Sequence, residues 1–235
     1  MNWSSALQQL QLSDKERSYL ALVLCKAIAG YRPERGKQGE YMEGPNQLSY
    51  AISKCCPYGN IISQSGYIWK GNLPFLGSEV INSLRIEADN ARSRAVHATK
   101  HYMVEGSKFA KSLFQSQHLS MFIKEYVPTA DDFIPSSTFY HWYESSKDRV
   151  EPHIDIPEFG LSILLLLRHT RPENAPHKSA FFVFPPGKGA TEVSLEEGEA
   201  LCLFSGSVVH ARSSPGEGEN VTTVSWGFQP KPAQN

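Results

Sequence analysis

The stretch EPHIDIPEFG, Glu151 to Gly160, places a histidine and an aspartate two positions apart in a segment that otherwise reads as β-strand. In an extended chain residues i and i+2 share a face, so the His153 imidazole and the Asp155 carboxylate project side by side while Ile154 turns the other way. An H-x-D triplet alone decides nothing, because matches this short arise by accident. Its neighbours decide it.

From about Thr138 onward, short apolar runs alternate with turn chemistry: TFYHWY, EPHIDI, LSILLLLR, SAFFVFPP, TEVSL, GEALCLF, SVVHARS and NVTTVSWGFQ. The joins HTRPENAPHK, PPGKGA, LEEGEA and SSPGEGEN carry Gly, Pro and Asn where loops need them. So many short strands in so little chain predict a jelly-roll or barrel. Upstream the texture is helical. Ser13 with Glu16 forms a capping box, the apolar run Tyr19 to Ile28 follows, and Gly30 is a natural stop. A second helix is expected across GSEVINSLRIEADNARSRAV, where Val80, Ile81, Leu84 and Ala88 keep helical spacing, and a third from about Lys108 to Tyr126. Between the first two, GNIISQSGYIWKGNLPF reads as short strand and turn, and the polar stretches YRPERGKQGEYMEGPNQ and HTRPENAPHKS read as loops able to cover a barrel mouth. The expected fold class is α+β: a single catalytic domain over 1–235, with about 1–137 a mainly helical buttress with short strands and about 138–229 a jelly-roll, cupin-like core carrying the site.

A chain of 235 residues, 40% hydrophobic, can bury a full core. The net charge is −1 and the basic residues are scattered among acids, so no nucleic-acid footprint is expected. The longest apolar run, Ile163 to Leu167, is far too short to span a bilayer, and MNWSSALQQLQLSDKERSY lacks the basic and apolar regions of a leader peptide. Cys25, Cys55, Cys56 and Cys202 form no CxxC site, and the adjacent pair is poorly placed for a simple disulfide; reduced thiols in a cytoplasmic protein are the expectation.

The stretch GEALCLFSGSVVHARSSPG rises out of an apolar strand and delivers His210 after a turn at Gly206. Two histidines and a carboxylate from two strands of one β-sandwich make the facial triad of non-haem iron(II), with positions left open for substrate and oxygen, whereas zinc favours a closed tetrahedron or a fuller set of N and S ligands. With those features in that order, about Thr138 to Gln229 resembles the double-stranded β-helix of the iron(II)- and 2-oxoglutarate-dependent oxygenases: an aromatic strand, H-x-D, an apolar strand, FVFPPGKG, GEALCLF, the distal His and a final TTVSWGF strand. The resemblance implies that His153, Asp155 and His210 ligate Fe(II), and that 2-oxoglutarate and O2 are co-substrates. It further implies that a small molecule, such as an amino acid or a natural-product intermediate, is oxidised with release of succinate and carbon dioxide. Related halogenases carry a small residue at the Asp155 position, so the carboxylate here implies hydroxylation, desaturation or ring formation.

The chain departs from that pattern at the co-substrate. Many members hold the distal carboxylate of 2-oxoglutarate with an Arg on the last strand, two residues before a Ser; GENVTTVSWGF has Ser225 but neither Arg nor Lys. A dicarboxylate in a low-dielectric barrel still needs a cation and hydroxyl donors. Arg212, two residues after His210, faces the same interior if its strand continues, and Arg168, ending LSILLLLR, is the other candidate. Tyr143, ten residues before His153, matches a co-substrate-contacting tyrosine of some prolyl-hydroxylase-like members, with ring packing as its alternative role. Thr223 and Ser225 alternate on the last strand as hydroxyl donors, and Trp226, on the opposite parity, is expected to pack. His141 shares parity with Tyr143 and reads as pocket wall rather than a further ligand. His97, His101 and His118 are expected in or near helices, and His169 and His177 flank a polar loop. None is assigned to metal. The missing late arginine leaves open a same-fold iron oxidase of the isopenicillin-synthase type that does without 2-oxoglutarate; further alternatives are a prolyl-hydroxylase-like enzyme acting on a peptide, a non-enzymatic jelly-roll binding module and a zinc or nickel cupin-type enzyme. The expected partner is a small-molecule substrate, with no nucleic acid and no membrane.

Overall fold

Every apolar run read in the C-terminal half forms a strand in the computed structural model, which describes residues 12–29, 43–156, 159–173 and 179–231. These are β4 (Phe133–Tyr143), β5 (Val150–His153), β6 (Leu161–Thr170), β7 (Phe181–Phe184), β8 (Thr191–Val193), β9 (Glu199–Leu203), β10 (Val209–Arg212) and β11 (Asn220–Pro230). The N-terminal half adds β1 (Trp69–Asn72), β2 (Val96–Ala98) and β3 (His101–Glu105). They form two antiparallel sheets, a large one ordered β1-β9-β6-β11-β4-β3-β2 and a small one ordered β5-β10-β7-β8. The fold is therefore α+β with a jelly-roll core.

Side-chain parity explains why these runs fold as they do. Strand β6 is buried on both faces and so reads as continuous apolar residues. Leu161, Ile163, Leu165 and Leu167 pack outward under helices, while Leu164 and Leu166 point between the sheets. On β11, Val224, Trp226 and Phe228 face the helices, and the Trp226 indole donates to the Ala110 carbonyl at 3.3 Å. On the small sheet, Ile154, Phe182, Phe184, Val209 and Ala211 face outward, which sends His153, Asp155, His210 and Arg212 inward.

The helical buttress is split between the two outer faces. Helices α1 (Asp14–Ala29) and α2 (Glu43–Cys55) cover the small sheet, with Ala21, Cys25, Ile52 and Cys55 in the contact. Helices α3 (Ser78–Ala91), α4 (Lys108–Phe114) and α5 (Gln117–Tyr126) cover the large one. The Ser13 capping box is present: the Ser13 amide donates to Glu16 Oε2 at 2.8 Å and the Glu16 amide to Ser13 Oγ at 3.4 Å. The Gly30 stop lies outside the described residues, as do 31–42 and 174–178 of the two expected loops.

Three expectations are corrected. The third helix is two, because Ser116 caps a fresh start by accepting from the Leu119 amide at 3.2 Å. The second ends at Ala91, and a 3-10 turn at Arg92–Arg94 leads into β2, which puts His97 and His101 on strands rather than near helices. Residues 43–47, read as the end of a loop, begin α2. Glu87 of α3 locks the turn into α4 by accepting from the Phe109 and Ala110 amides at 2.7 and 3.0 Å and from the Tyr140 hydroxyl at 2.8 Å. No described helix is long and apolar enough to cross a membrane.

Candidate metal centre

His153 ends β5, and His210 is its direct partner across the β5–β10 ladder, with ring centroids 4.2 Å apart. Asp155 follows the strand end and is held by its amide, which donates to the Ser205 carbonyl at 2.9 Å. The Ser205 hydroxyl bonds Ser162 Oγ at 2.7 Å and the Phe159 carbonyl at 2.8 Å, so the turn preceding His210 also fixes the third candidate ligand. Asp155 Oδ1 stands 3.3 Å from His153 Nε2 and 3.7 Å from His210 Nε2, and one ligand atom from each residue lies within 4.8 Å of the others. Cis ligands on bonds of about 2.1 Å stand about 3 Å apart, so the three atoms need only small adjustments to share one ion.

The imidazoles are already oriented for that role. His153 Nδ1 donates to the carbonyls of Glu151 and His210, at 2.9 and 3.2 Å, and His210 Nδ1 donates to the Val208 carbonyl at 3.0 Å. With each Nδ1 occupied as a donor, both rings turn Nε2 toward Asp155, the outer-sphere arrangement that metal-ligating histidines use. Burial and the neighbouring His153 push His210 down to about 4, against the pull of Asp155. Burial pulls His153 the same way, but the Asp155 hydrogen bond and charge outweigh it and leave that group raised. Burial also opposes ionisation of Asp155, and the two histidines overcome it, so the carboxylate stays below its usual range. The donor set fits a divalent ion with open positions.

Arg212 lies two residues beyond His210 on the same face and is only 5% exposed. Its guanidinium packs over the Tyr143 ring at 5.2 Å and the Phe181 ring at 6.0 Å, and its Nη1 donates to Ser179 Oγ at 3.3 Å. No carboxylate of the described residues forms an ion pair with it. A small pocket is lined by Arg212, Ser179, His169, Glu192 and Ser194 at its polar side and by Leu166, Phe181, Val193 and Leu195 at its apolar side. Phe181 also stacks against His210, with centroids 5.7 Å apart, and so links the pocket to the triad.

The remaining sequence candidates divide. Tyr143 is buried between Arg212 and His101, whose ring stacks on it at 4.8 Å. Thr223 Oγ1 is fully buried and has no hydrogen-bond partner among the described residues. The Ser225 hydroxyl lies 2.8 Å from His141 Nε2, and His141 Nδ1 lies 3.0 Å from His101 Nε2. His141 is thus a wall residue, as its parity indicates. Arg168 is not brought to the triad. It sits opposite Thr222, across a register shift between Thr222 and Thr223 that leaves Leu167 unpaired, and this bulge turns Arg168 to the outer face. There it forms a fork on Asp89 of α3, at 2.8 and 3.0 Å, with 37% of its side chain exposed.

Sequence reading gave no site role to three contributors. His101 arrives from β3, whose short run HYMVE carries too little alternation to announce a strand. Ser205 and Ser179 act through backbone partners that no spacing rule reveals.

No family model and no curated protein matches this sequence. Solved structures do match in shape. A Pseudomonas putida prolyl-4-hydroxylase is 13% identical, with a TM-score of 0.58 over 78% of this chain and 100% of that one. SnoN, a non-haem α-ketoglutarate-dependent epimerase from nogalamycin biosynthesis, is 16% identical, with a TM-score of 0.57 over 71% and 78%. HygX from Streptomyces hygroscopicus, solved with nickel, 2-oxoglutarate and hygromycin B, is 13% identical, with a TM-score of 0.53 over 73% and 86%. The chain has the fold of the 2-oxoglutarate/iron(II) oxygenases.

Proposed function

We propose that this protein is a non-haem iron(II)- and 2-oxoglutarate-dependent dioxygenase that oxidises a small molecule, with the whole chain acting as one catalytic domain. The observation that carries the reading is Arg212, a buried cation with no carboxylate partner among the described residues, on the same strand face as His210 and beside a pocket. Uncompensated burial of a charge is costly, and a bound carboxylate removes that cost. His153, Asp155 and His210 would hold Fe(II), and the bound ion supplies oxygen activation coupled to conversion of 2-oxoglutarate into succinate and carbon dioxide.

The chain's own residues then have distinct tasks. Arg212 takes the distal carboxylate, replacing the late-strand arginine that GENVTTVSWGF lacks. Leu166, Phe181, Val193 and Leu195 enclose the methylene segment and exclude water. Thr223 Oγ1, buried without a partner among the described residues, and Tyr143 complete the polar contacts, and Ser225 is set by His141. The substrate we favour is an amino acid or a natural-product intermediate, in keeping with neighbours solved with nogalamycin RO and with hygromycin B.

The test is anaerobic titration of Fe(II)-loaded protein with 2-oxoglutarate, monitored by the visible metal-to-ligand charge-transfer band of a chelated 2-oxo acid. A saturable band is expected. Iron bound with no band at any concentration overturns the reading in favour of an oxidase that takes its electrons from substrate alone.

A further inference from the structure

We infer that Glu219, through Ser179, is a positioning residue for the Arg212 anchor: it braces the acceptor that aims the guanidinium while leaving the guanidinium's carboxylate-binding edge free. The inference rests on the reading of Arg212 as the co-substrate anchor and goes beyond it to Glu219, which does not line the pocket.

Glu219 immediately precedes β11 and is 0% exposed. A carboxylate so buried needs donors on both oxygens. Oε1 accepts from His169 Nε2 at 2.5 Å and from the Ser179 amide at 2.6 Å, and Oε2 accepts from the Gly216 amide at 2.7 Å. One side chain therefore ties together the end of β6, the approach to β7 and the β10–β11 turn. Ser179 is fixed further by its own hydroxyl, which donates to the Ser213 carbonyl at 2.8 Å, while the Ser213 hydroxyl accepts from the Ala180 amide at 2.9 Å. With its proton committed to Ser213, Ser179 Oγ can only accept, and Arg212 Nη1 is the donor it meets.

The arrangement settles a competition. A buried glutamate near a buried arginine would ordinarily form a two-pronged pair with it, which would neutralise the guanidinium and block its fork. Here the Glu219 oxygens are taken by His169 and two backbone amides, so the negative charge stays close enough to favour the buried cation without occupying it. Of the five guanidinium N–H donors, the described residues use one, through Ser179. The remainder are available to a ligand carboxylate.

The experiment compares 2-oxoglutarate with pyruvate, a 2-oxo acid without a distal carboxylate, as probes of the Fe(II)-loaded wild type, Glu219→Gln and Ser179→Ala, read by the charge-transfer band under anaerobic conditions. Glu219→Gln removes the charge and sets an amide against N–H donors, and Ser179→Ala removes the acceptor. Both are expected to weaken 2-oxoglutarate binding about tenfold, the scale of one hydrogen bond to a charged group, while pyruvate and Fe(II) bind as in wild type. Steady-state turnover should show a raised KM for 2-oxoglutarate with kcat retained at saturation. Equal losses for pyruvate, or unchanged 2-oxoglutarate binding in both variants, overturns the inference. Should Glu219→Gln fail to fold, Ser179→Ala, which keeps the Glu219 clamp, carries the comparison alone. A wild type that shows no band with 2-oxoglutarate refutes the co-substrate reading itself, a result distinct from either failure in the variants.

Discussion

His153 stands directly opposite His210 in the β5–β10 ladder, and its Nδ1 donates to the His210 carbonyl at 3.2 Å, so one strand pairing fixes both imidazoles and the tautomer of one of them. Asp155 closes the group from just beyond the strand, held by the Ser205 carbonyl. Replacing Asp155 with Ala removes the only anionic ligand while leaving the strand pairing untouched. Fe(II) affinity is expected to fall by at least about 100-fold, with thermal stability close to wild type. Anaerobic Fe(II) titration checks this, and wild-type oxidation by Asp155→Ala at limiting iron would remove Asp155 from the site.

The two arginines should behave oppositely. Arg212→Ala takes away a buried charge, and truncating one side of such a pair costs about 2–5 kcal/mol, so the dissociation constant for 2-oxoglutarate should rise by a factor of about 30 or more. Arg168→Ala breaks only an exposed fork on Asp89, which costs about 1 kcal/mol or less, and co-substrate binding should not change. Loss of binding in Arg168→Ala instead would mean that the outward turn at the Thr222/Thr223 bulge is absent when co-substrate binds.

Much of this was legible in the sequence because it rests on local periodicity. Strand alternation placed Thr223 and Ser225 inside and Trp226 outside, and the i, i+2 rule put His153 with Asp155 and His210 with Arg212. What escaped depends on register and on distant partners. Arg168 has interior parity by counting along β6, but a single unpaired residue at Leu167 inverts it. His101 lies far from the barrel strands in sequence and reaches Tyr143 and His141 only because β3 pairs with β4. The break between α4 and α5 shows in Ser116, a cap residue in an otherwise continuous apolar stripe, whose meaning was outweighed by the stripe.

That cap yields a simple stability prediction. Ser116→Ala leaves the Leu119 amide without its side-chain acceptor and should cost about 1 kcal/mol, lowering Tm by about 2–4 °C. Calorimetry checks it, and since α5 packs on the outer face of the large sheet, Fe(II) affinity should stay as in wild type. An unchanged Tm would show that α4 and α5 hold their junction through packing alone.

Asp148 sits where the β4–β5 turn meets the β2–β3 hairpin, 2% exposed, accepting from the Glu144 and Ser145 amides at 2.8 and 2.9 Å and facing His97 Nε2 at 3.1 Å. Burial alone would raise its carboxyl, but these hydrogen bonds outweigh it and hold the group below its usual range. A carboxylate whose folded value is depressed stabilises the protein above its unfolded pKa of about 3.9, and that contribution disappears as pH falls through the folded value. Asp148→Asn keeps the shape and loses the charge, so it should cost about 1–3 kcal/mol at neutral pH. Its stability gap from wild type should be full at neutral pH, begin to close as pH falls past the unfolded value of about 3.9, and vanish only below the depressed folded value, where Asp148 is protonated in both states. Urea unfolding across that range measures the gap directly. A gap that stays constant into acid would assign the Asp148 contribution to hydrogen-bond geometry instead of charge, and would detach the β2–β3 hairpin, with its His101, from any electrostatic latch.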